Sequence, residues 1–215
     1  MIKLVCLDRD GTINEDNNYF LGSSSDWKNK VKILPRVVEG IKRLNSMPDT
    51  EIFIVTNQSG VALLGNRFEE LTEERMHDVN KYILEKLTKE GARIKGYFAC
   101  PFVDSKYAEK VVERGWNIDP KYIQDEHPDL KPRTGLVEKC AASLGCSLKE
   151  VSLYVIGDRC TEVQLALNSG GIGILVAGKK TIELGDVEKV NKLKQDFPSR
   201  VFIASDFLQA VKYVK

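Results

Sequence analysis

Two aspartates one residue apart, Asp8 and Asp10, close the apolar run from Ile2 to Leu7 and lead into Gly11-Thr12. Carboxylates this close repel unless a positive charge lies between them. Other apolar runs end in groups that could complete such a site. The run "EIFIVTNQSG" ends in Thr56-Asn57-Gln58-Ser59-Gly60, and "VSLYVIGDR" ends in Gly157-Asp158, with Glu162 four residues further on. Between them "DLKPRTG" offers Lys131 ahead of a helix that opens at Gly135. The set reads carboxylate, carboxylate, hydroxyl, ammonium, carboxylate. Mg²⁺, a hard cation that prefers oxygen ligands and completes its shell with phosphate oxygens and water, is the charge that would hold such carboxylates at one mouth. A carboxylate can then attack phosphorus to give an aspartyl-phosphate, while cationic and hydroxyl groups stabilise the equatorial oxygens. A neighbouring carboxyl must protonate the leaving oxygen and later activate water.

The order of elements decides whether those pieces can meet. Short apolar runs, Lys3 to Leu7, Glu51 to Thr56, Gly96 to Cys100, Ser152 to Ile156, Ile172 to Val176 and Val201 to Ala204, read as strands buried on both faces. Helical patterns alternate with them at Val37 to Met47, Thr72 to Glu90, Gly135 to Leu144, Thr161 to Ser169, Val187 to Asp196 and Asp206 to Lys215, the last capped by Asp206. The alternation predicts an α/β protein, a three-layer Rossmann-like arrangement with a parallel sheet and ligands at the carboxyl ends of its strands. At 215 residues one domain is expected. Two stretches break the rhythm: a polar flap near 14–34 and a loop-rich insertion without clear period near 102–133.

The four pieces in this order resemble the haloacid dehalogenase superfamily of phosphohydrolases. The runs "LDRDGTIN", "VTNQSGVA", "KPRTG" and "VIGDRCTEVQLALNSG" are similar to the branch holding D-glycero-D-manno-heptose 1,7-bisphosphate phosphatase and the histidinol-phosphate phosphatase domain, over about Ile2 to Val176. The resemblance implies the fold of that superfamily with a small or minimal cap. It implies Asp8 as nucleophile and Asp10 as general acid/base. It implies Thr56 and Lys131 as phosphoryl ligands, with Asn57 beside them, and Asp8, Asp158 and the backbone carbonyl of Asp10 as ligands of Mg²⁺. The substrate implied is a small phosphorylated metabolite: first a sugar phosphate such as the heptose bisphosphate, second histidinol phosphate.

This sequence also departs from that branch. The branch carries a zinc loop of two Cys-containing pairs; the corresponding positions here hold Cys100 and Phe102, then His127 and Asp129. One thiolate, one imidazole and one carboxylate do not make the four-ligand set of a structural zinc site, so zinc is not expected. The arginine that precedes the lysine in the branch is replaced by Leu130, and "GVALLGNRF" replaces a Gly-x-Ala-Arg-Gly run; Arg67 and Arg133 lie close enough in sequence to stand in as phosphate ligands.

Composition narrows the partners. With 32 basic and 31 acidic residues, the chain has no global field to gather nucleic acid or an anionic membrane. A phosphatase of nucleic-acid 3′ ends, which a small cap would admit, is an alternative that wants a basic stripe with stacking aromatics, and only "RGW" and "KYI" in the insertion hint at one. A non-catalytic scaffold is the remaining alternative, and the intact set of four pieces argues against it. Five cysteines without a CxxC pair fit reduced thiols, and a strand beginning at once leaves no room for a signal peptide, so a cytoplasmic monomer is expected. His77 reads as a helix-surface residue, His127 as a residue of the insertion's inner side, Cys160 as packing, and Trp27 and Trp116 as anchors of flap and insertion.

Overall fold

A computed structural model describes residues 1–16, 20–65 and 67–215. Six strands form one parallel sheet: β1 (Ile2–Leu7), β2 (Thr50–Asn57), β4 (Gly96–Cys100), β6 (Val151–Gly157), β7 (Ile172–Val176) and β8 (Val201–Ala204). Two two-residue strands, β3 (Leu63–Leu64) and β5 (Asn117–Ile118), pair antiparallel outside it. The spatial order is β4-β2-β1-β6-β7-β8. Numbered by chain order within the sheet alone this is 3-2-1-4-5-6, the doubly wound Rossmann arrangement, whose direction reverses between β1 and β6. A ligand crevice is therefore expected outside the carboxyl ends of those two strands.

The alternation of side chains along β1 explains both covering layers. Val5 and Leu7 pack with Val37, Ile41 and Leu44 of α2 (Val37–Asn45), Ile83 and Leu87 of α3 (Glu73–Lys89) and Phe207 of α9 (Phe207–Val211). Leu4 and Cys6 point the other way, onto Leu136, Val137, Cys140 and Ala141 of α5 (Gly135–Ser143) and Leu165 and Ala166 of α6 (Cys160–Asn168). Period-two exposure to two apolar layers is why the strands read as continuous apolar runs. Five of the six expected helices end one to four residues inside their expected bounds, and the helix at Asp186–Asp196 ends where expected. Asp206 caps α9, accepting from the Gln209 amide at 2.8 Å, but α9 stops at Val211.

The segment expected to be loop-rich, 102–133, contains a nine-residue helix, α4 (Ser105–Glu113). Asp104 caps it through the Tyr107 amide at 2.7 Å, and Ala108 and Val111 are its buried face. The cap residue and the 104/107/108/111 spacing were legible in the sequence; the many charged residues between them hid the period. Helix α4, β3 and β5 join Phe20, Phe68, Leu71 and Trp116 in a small apolar cluster above the sheet's carboxyl edge. Two short helices at Trp27–Lys30 (α1) and Lys179–Glu183 (α7) and a longer one at Asp186–Asp196 (α8) complete the fold. Among the described residues no helix is long and apolar enough to cross a membrane.

Helix α2 crosses α9 at Gly40, where an added Cβ would lie 2.5 Å from Cδ1 and 2.8 Å from Cε1 of Phe207. Gly40→Ala gains roughly 1 kcal/mol of helix propensity, but overpacking of this kind costs about 1–3 kcal/mol. The expected result is a net loss of stability in a urea melt, with a stabilised variant showing that the two helices can move apart.

Candidate active site

Register brings the strand ends to one line. Leu7 pairs with Ile54 on one side and Ile156 on the other, so Asp8 comes level with Val55 and Gly157, and Thr56 and Asp158 follow one residue beyond. The Asp8 amide donates to Ile156 O at 2.9 Å, which carries the ladder up to the site. Lys131 arrives from the loop before α5. Its backbone is tied to the end of β2 by Asn57, which accepts from the Lys131 amide at 3.2 Å and donates to Lys131 O at 3.4 Å.

The Lys131 ammonium is buried and fully engaged. It donates to Asp8 Oδ1 at 2.6 Å and to Val55 O at 3.1 Å, and pairs with Glu162 Oε1 at 2.8 Å. Despite burial, which disfavours the charged amine, Asp8 and Glu162 raise its pKa above the ordinary lysine value, so it stays protonated. Glu162 can fold back to this point because residue 157 is glycine: a Cβ there would lie 2.2 Å from Glu162 Cγ. Its other oxygen accepts from the Arg159 amide at the start of α6 at 3.1 Å.

Asp158 lies across from this pair, 4% exposed. Its Oδ1 is buried and has no hydrogen-bond partner among the described residues. Gly11 makes room for the carboxylate. At φ +83° it adopts the left-handed backbone that favours glycine, and a Cβ there would lie 2.3 Å from Asp158 Oδ2. Burial first, then the charges of Asp8 and Glu162, push Asp158 up to about 8. Burial likewise pushes Asp8 up to about 7, although Lys131 opposes the shift. Both carboxyls are thus drawn toward the protonated form unless another cation joins Lys131.

Asp10 is held differently. Burial would raise its pKa, but Arg9, Asn14 and Gln58 outweigh it and keep the carboxyl below its ordinary value. The Arg9 guanidinium donates to both Asp10 oxygens, at 3.1 and 2.6 Å, Asn14 to Oδ1 at 2.9 Å and Gln58 to Oδ2 at 2.9 Å. Arg9 is 1% exposed and also donates to Asn80 Oδ1 on α3 at 3.1 Å and Gln58 Oε1 at 2.7 Å. Gln58 donates in turn to Thr56 Oγ1 at 2.9 Å. Arg9, Gln58 and Asn80 form a positioning network that sequence reasoning missed. The only signal was an arginine between two aspartates in an apolar strand end.

Asp8, Asp10, Thr56, Asn57, Lys131, Asp158 and Glu162 all line one cleft of about 1020 Å³, walled by Phe20, Leu71, Phe102 and Trp116 of the cap. Arg133 does not line it. A turn in which the Arg133 amide donates to Leu130 O at 3.0 Å carries its side chain outward, where it pairs with Glu126 at 2.8 Å. Arg133, expected as a phosphate ligand, is thus placed on the exposed side of this turn in the ligand-free structure. Arg67 lies over the rings of Phe68 and Trp116, 5.5 and 5.4 Å from their centroids. At the zinc-loop positions, the Cys100 thiol is 4.0 Å from His127 Nδ1, the His127 ring stacks on Phe102, and Asp129 pairs with Lys139. Trp27 is buried edge-on to Tyr82, and Cys160 packs in the core. His77 is exposed on α3 and hydrogen-bonds the Tyr97 hydroxyl.

No protein-family model matches the chain. Its sequence is 28% identical, over 173 residues covering 80% of this chain and 82% of the relative, to the D-glycero-beta-D-manno-heptose-1,7-bisphosphate 7-phosphatase of Rhodopseudomonas palustris. In three dimensions it is similar to the D,D-heptose 1,7-bisphosphate phosphatase of Bordetella bronchiseptica, a crystal structure complexed with magnesium and phosphate, with TM-score 0.67 and 22% identity, covering 98% of this chain and 97% of that one. The L-2-haloacid dehalogenase of Xanthobacter autotrophicus shares the fold at TM-score 0.51 and 11% identity, over 100% of this chain and 98% of that one. The chain has the haloacid dehalogenase fold and is similar in sequence and structure to heptose bisphosphate phosphatases.

Proposed function

We propose that the protein is a Mg²⁺-dependent phosphomonoesterase working through an aspartyl-phosphate on a small phosphorylated metabolite, a sugar phosphate before any other. The observation that carries this reading is the buried Lys131 ammonium between Asp8 and Glu162, with the unpartnered Asp158 oxygen at the same strand edge. The donor set fits a hard cation: all oxygens, two of the carboxyls raised in pKa for lack of positive charge, and one oxygen without a partner. Asp8, Asp158 and the backbone carbonyl of Asp10 would hold it. Bound there, Mg²⁺ would neutralise the carboxylates and polarise the phosphoryl oxygens.

This chain's own groups supply the rest. An Asp8 carboxylate oxygen attacks phosphorus, the bond from phosphorus to the ester oxygen breaks, and the leaving oxygen takes a proton from Asp10. Asp10 then removes a proton from a water that attacks the aspartyl-phosphate, which returns Asp8 and releases inorganic phosphate. The Arg9, Asn14 and Gln58 hydrogen bonds favour the base form of Asp10 needed in the second half. An arriving phosphoryl dianion raises the proton affinity of that carboxyl, as any close negative charge does, and prepares it for the first half. Thr56 and Lys131 bind the phosphoryl oxygens, and Asn57 positions the Lys131 backbone. The flap and cap shield the reaction as part of a single 1–215 domain, which we expect to act as a cytoplasmic monomer.

Asp8→Asn removes the nucleophile at nearly constant shape, so phosphate release should fall by about a thousandfold or more while circular dichroism is unchanged; substantial residual turnover would sink the assigned mechanism. A second expectation concerns the metal-free protein. Asp8 and Asp158 bind protons up to about pH 7 and 8, whereas the unfolded chain releases them near 3.8. The folded state thus holds more protons across that window, and its stability should fall as pH rises from 4 to 8. Mg²⁺ should raise the melting temperature more at pH 8 than at pH 5, and Asp158→Asn should flatten the pH slope. Equal stabilisation at both pH values would show that these carboxyls do not hold the cation.

A further inference from the structure

Lys131 enters the site from a short loop, and residues that never reach the cleft set the course of that loop. Asn57 at the end of β2 bonds both the amide and the carbonyl of Lys131, and Asn168 of α6 donates to Pro132 O at 2.9 Å. The remaining tie is an ion pair between the Asp129 carboxylate, just before Lys131 in the chain, and the ammonium of Lys139 in α5. Asp129 is buried, and among the described residues Lys139 is its only ion-pair partner, its Oδ1 having no hydrogen-bond partner there. Gly135 makes room for this carboxylate: a Cβ at that position would lie 2.5 Å from Asp129 Oδ1. The Gly135 amide in turn donates to Pro128 O at 3.0 Å. His127 closes the turn, its Nδ1 accepting from the Asp129 amide at 3.2 Å while its ring stacks on Phe102 with centroids 4.0 Å apart. This donor set does not fit zinc. Phe102 offers no ligand, the His127 nitrogen nearest the Cys100 thiol is engaged by the Asp129 amide, and the Asp129 carboxylate is engaged by Lys139.

We propose that Asp129 and Lys139 are positioning residues for the phosphoryl ligand: their ion pair, without a metal, holds the 127–131 turn against α5 so that the Lys131 ammonium reaches Asp8. The proposal rests on the phosphatase reading above and adds to it a residue remote from the cleft on which phosphate binding depends. Lys139 is half exposed and does not line the cleft, so its removal touches no substrate. It leaves instead a buried carboxylate with an uncompensated charge, and relief of that charge requires the turn to move toward water. Lys131 is two residues away on the same turn and moves with it.

Hydrolysis of para-nitrophenyl phosphate in Mg²⁺, with inorganic phosphate as competitive inhibitor, tests the pair. In Lys139→Met, kcat/KM should fall about tenfold to a hundredfold, the scale of a catalytic group displaced by ~1 Å, and the inhibition constant of phosphate should rise with it. Mere destabilisation would lower the active fraction, and kcat in proportion, while leaving that constant where it was. Lys139→Arg should keep both constants near wild type. Asp129→Asn/Lys139→Met should recover much of the loss, because no buried charge is then left unpaired. Lys149→Ala, which removes an exposed lysine away from the cleft, should behave as wild type. Wild-type constants in Lys139→Met, or a loss that Lys139→Arg does not repair, overturn the positioning role and leave the phosphatase reading standing. If Lys139→Met does not fold, Lys139→Gln is read in the same way. One equivalent of zinc in the purified protein, whose removal by a chelator with Mg²⁺ in excess lowers the melting temperature, also overturns it. Absence of hydrolysis in the wild type overturns the phosphatase reading, and the positioning role with it.

Discussion

One buried ammonium organises the site. The Lys131 side chain, 2% exposed, lies between Asp8 and Glu162 and spends its third donor on the Val55 carbonyl. A buried charge is tolerable only when paired and hydrogen-bonded throughout, and this one requires three elements to arrive together: the end of β1 brings Asp8, β2 brings Val55, and the first turn of α6 brings Glu162. The parallel register that aligns Leu7 with Ile54 and Ile156 is therefore a condition of the chemistry as well as of the sheet.

Lys131 cannot balance the whole edge alone. Asp8, Asp10, Asp158 and Glu162 face two buried cations, Arg9 and Lys131. The imbalance divides the carboxyls by environment. Asp10, clamped by a guanidinium and two amides, is held as a carboxylate, whereas Asp8 and Asp158 are pushed toward the protonated form. The proposed Mg²⁺ would add positive charge here and so relieve the same repulsion that burial intensifies. Gly11 and Gly157 belong to this arrangement, because a methyl group at either would strike a carboxylate side chain.

The cap lines the approach to the edge. Its apolar cluster around Phe20, Phe68 and Trp116 closes one wall, and α4 lays its polar face along the cleft. Because α4 is tied through Tyr107 and Ser59 to the end of β2, selection at the mouth and chemistry at the floor share one rigid support.

Asp8, Asp10, Thr56, Lys131 and Asp158 were legible in the sequence because each follows an apolar run or opens a helix, and in a parallel sheet all such positions share one edge. The strands were legible for the same reason: burial on both faces leaves a continuous apolar signature that needs no partner to be recognised. Arg9, Gln58 and Asn80 were not legible, since their network links positions 49 and 71 residues apart and exists only when α3 is packed against the sheet. Arg133 lies only two residues from Lys131 in the chain, and a single turn sends one inward and the other to Glu126. Sequence by itself determined which chemical groups stand at the ends of elements, because local periodicity places those ends. The tertiary structure alone decided which of them share a charge, because pairing and burial depend on distances that only packing establishes.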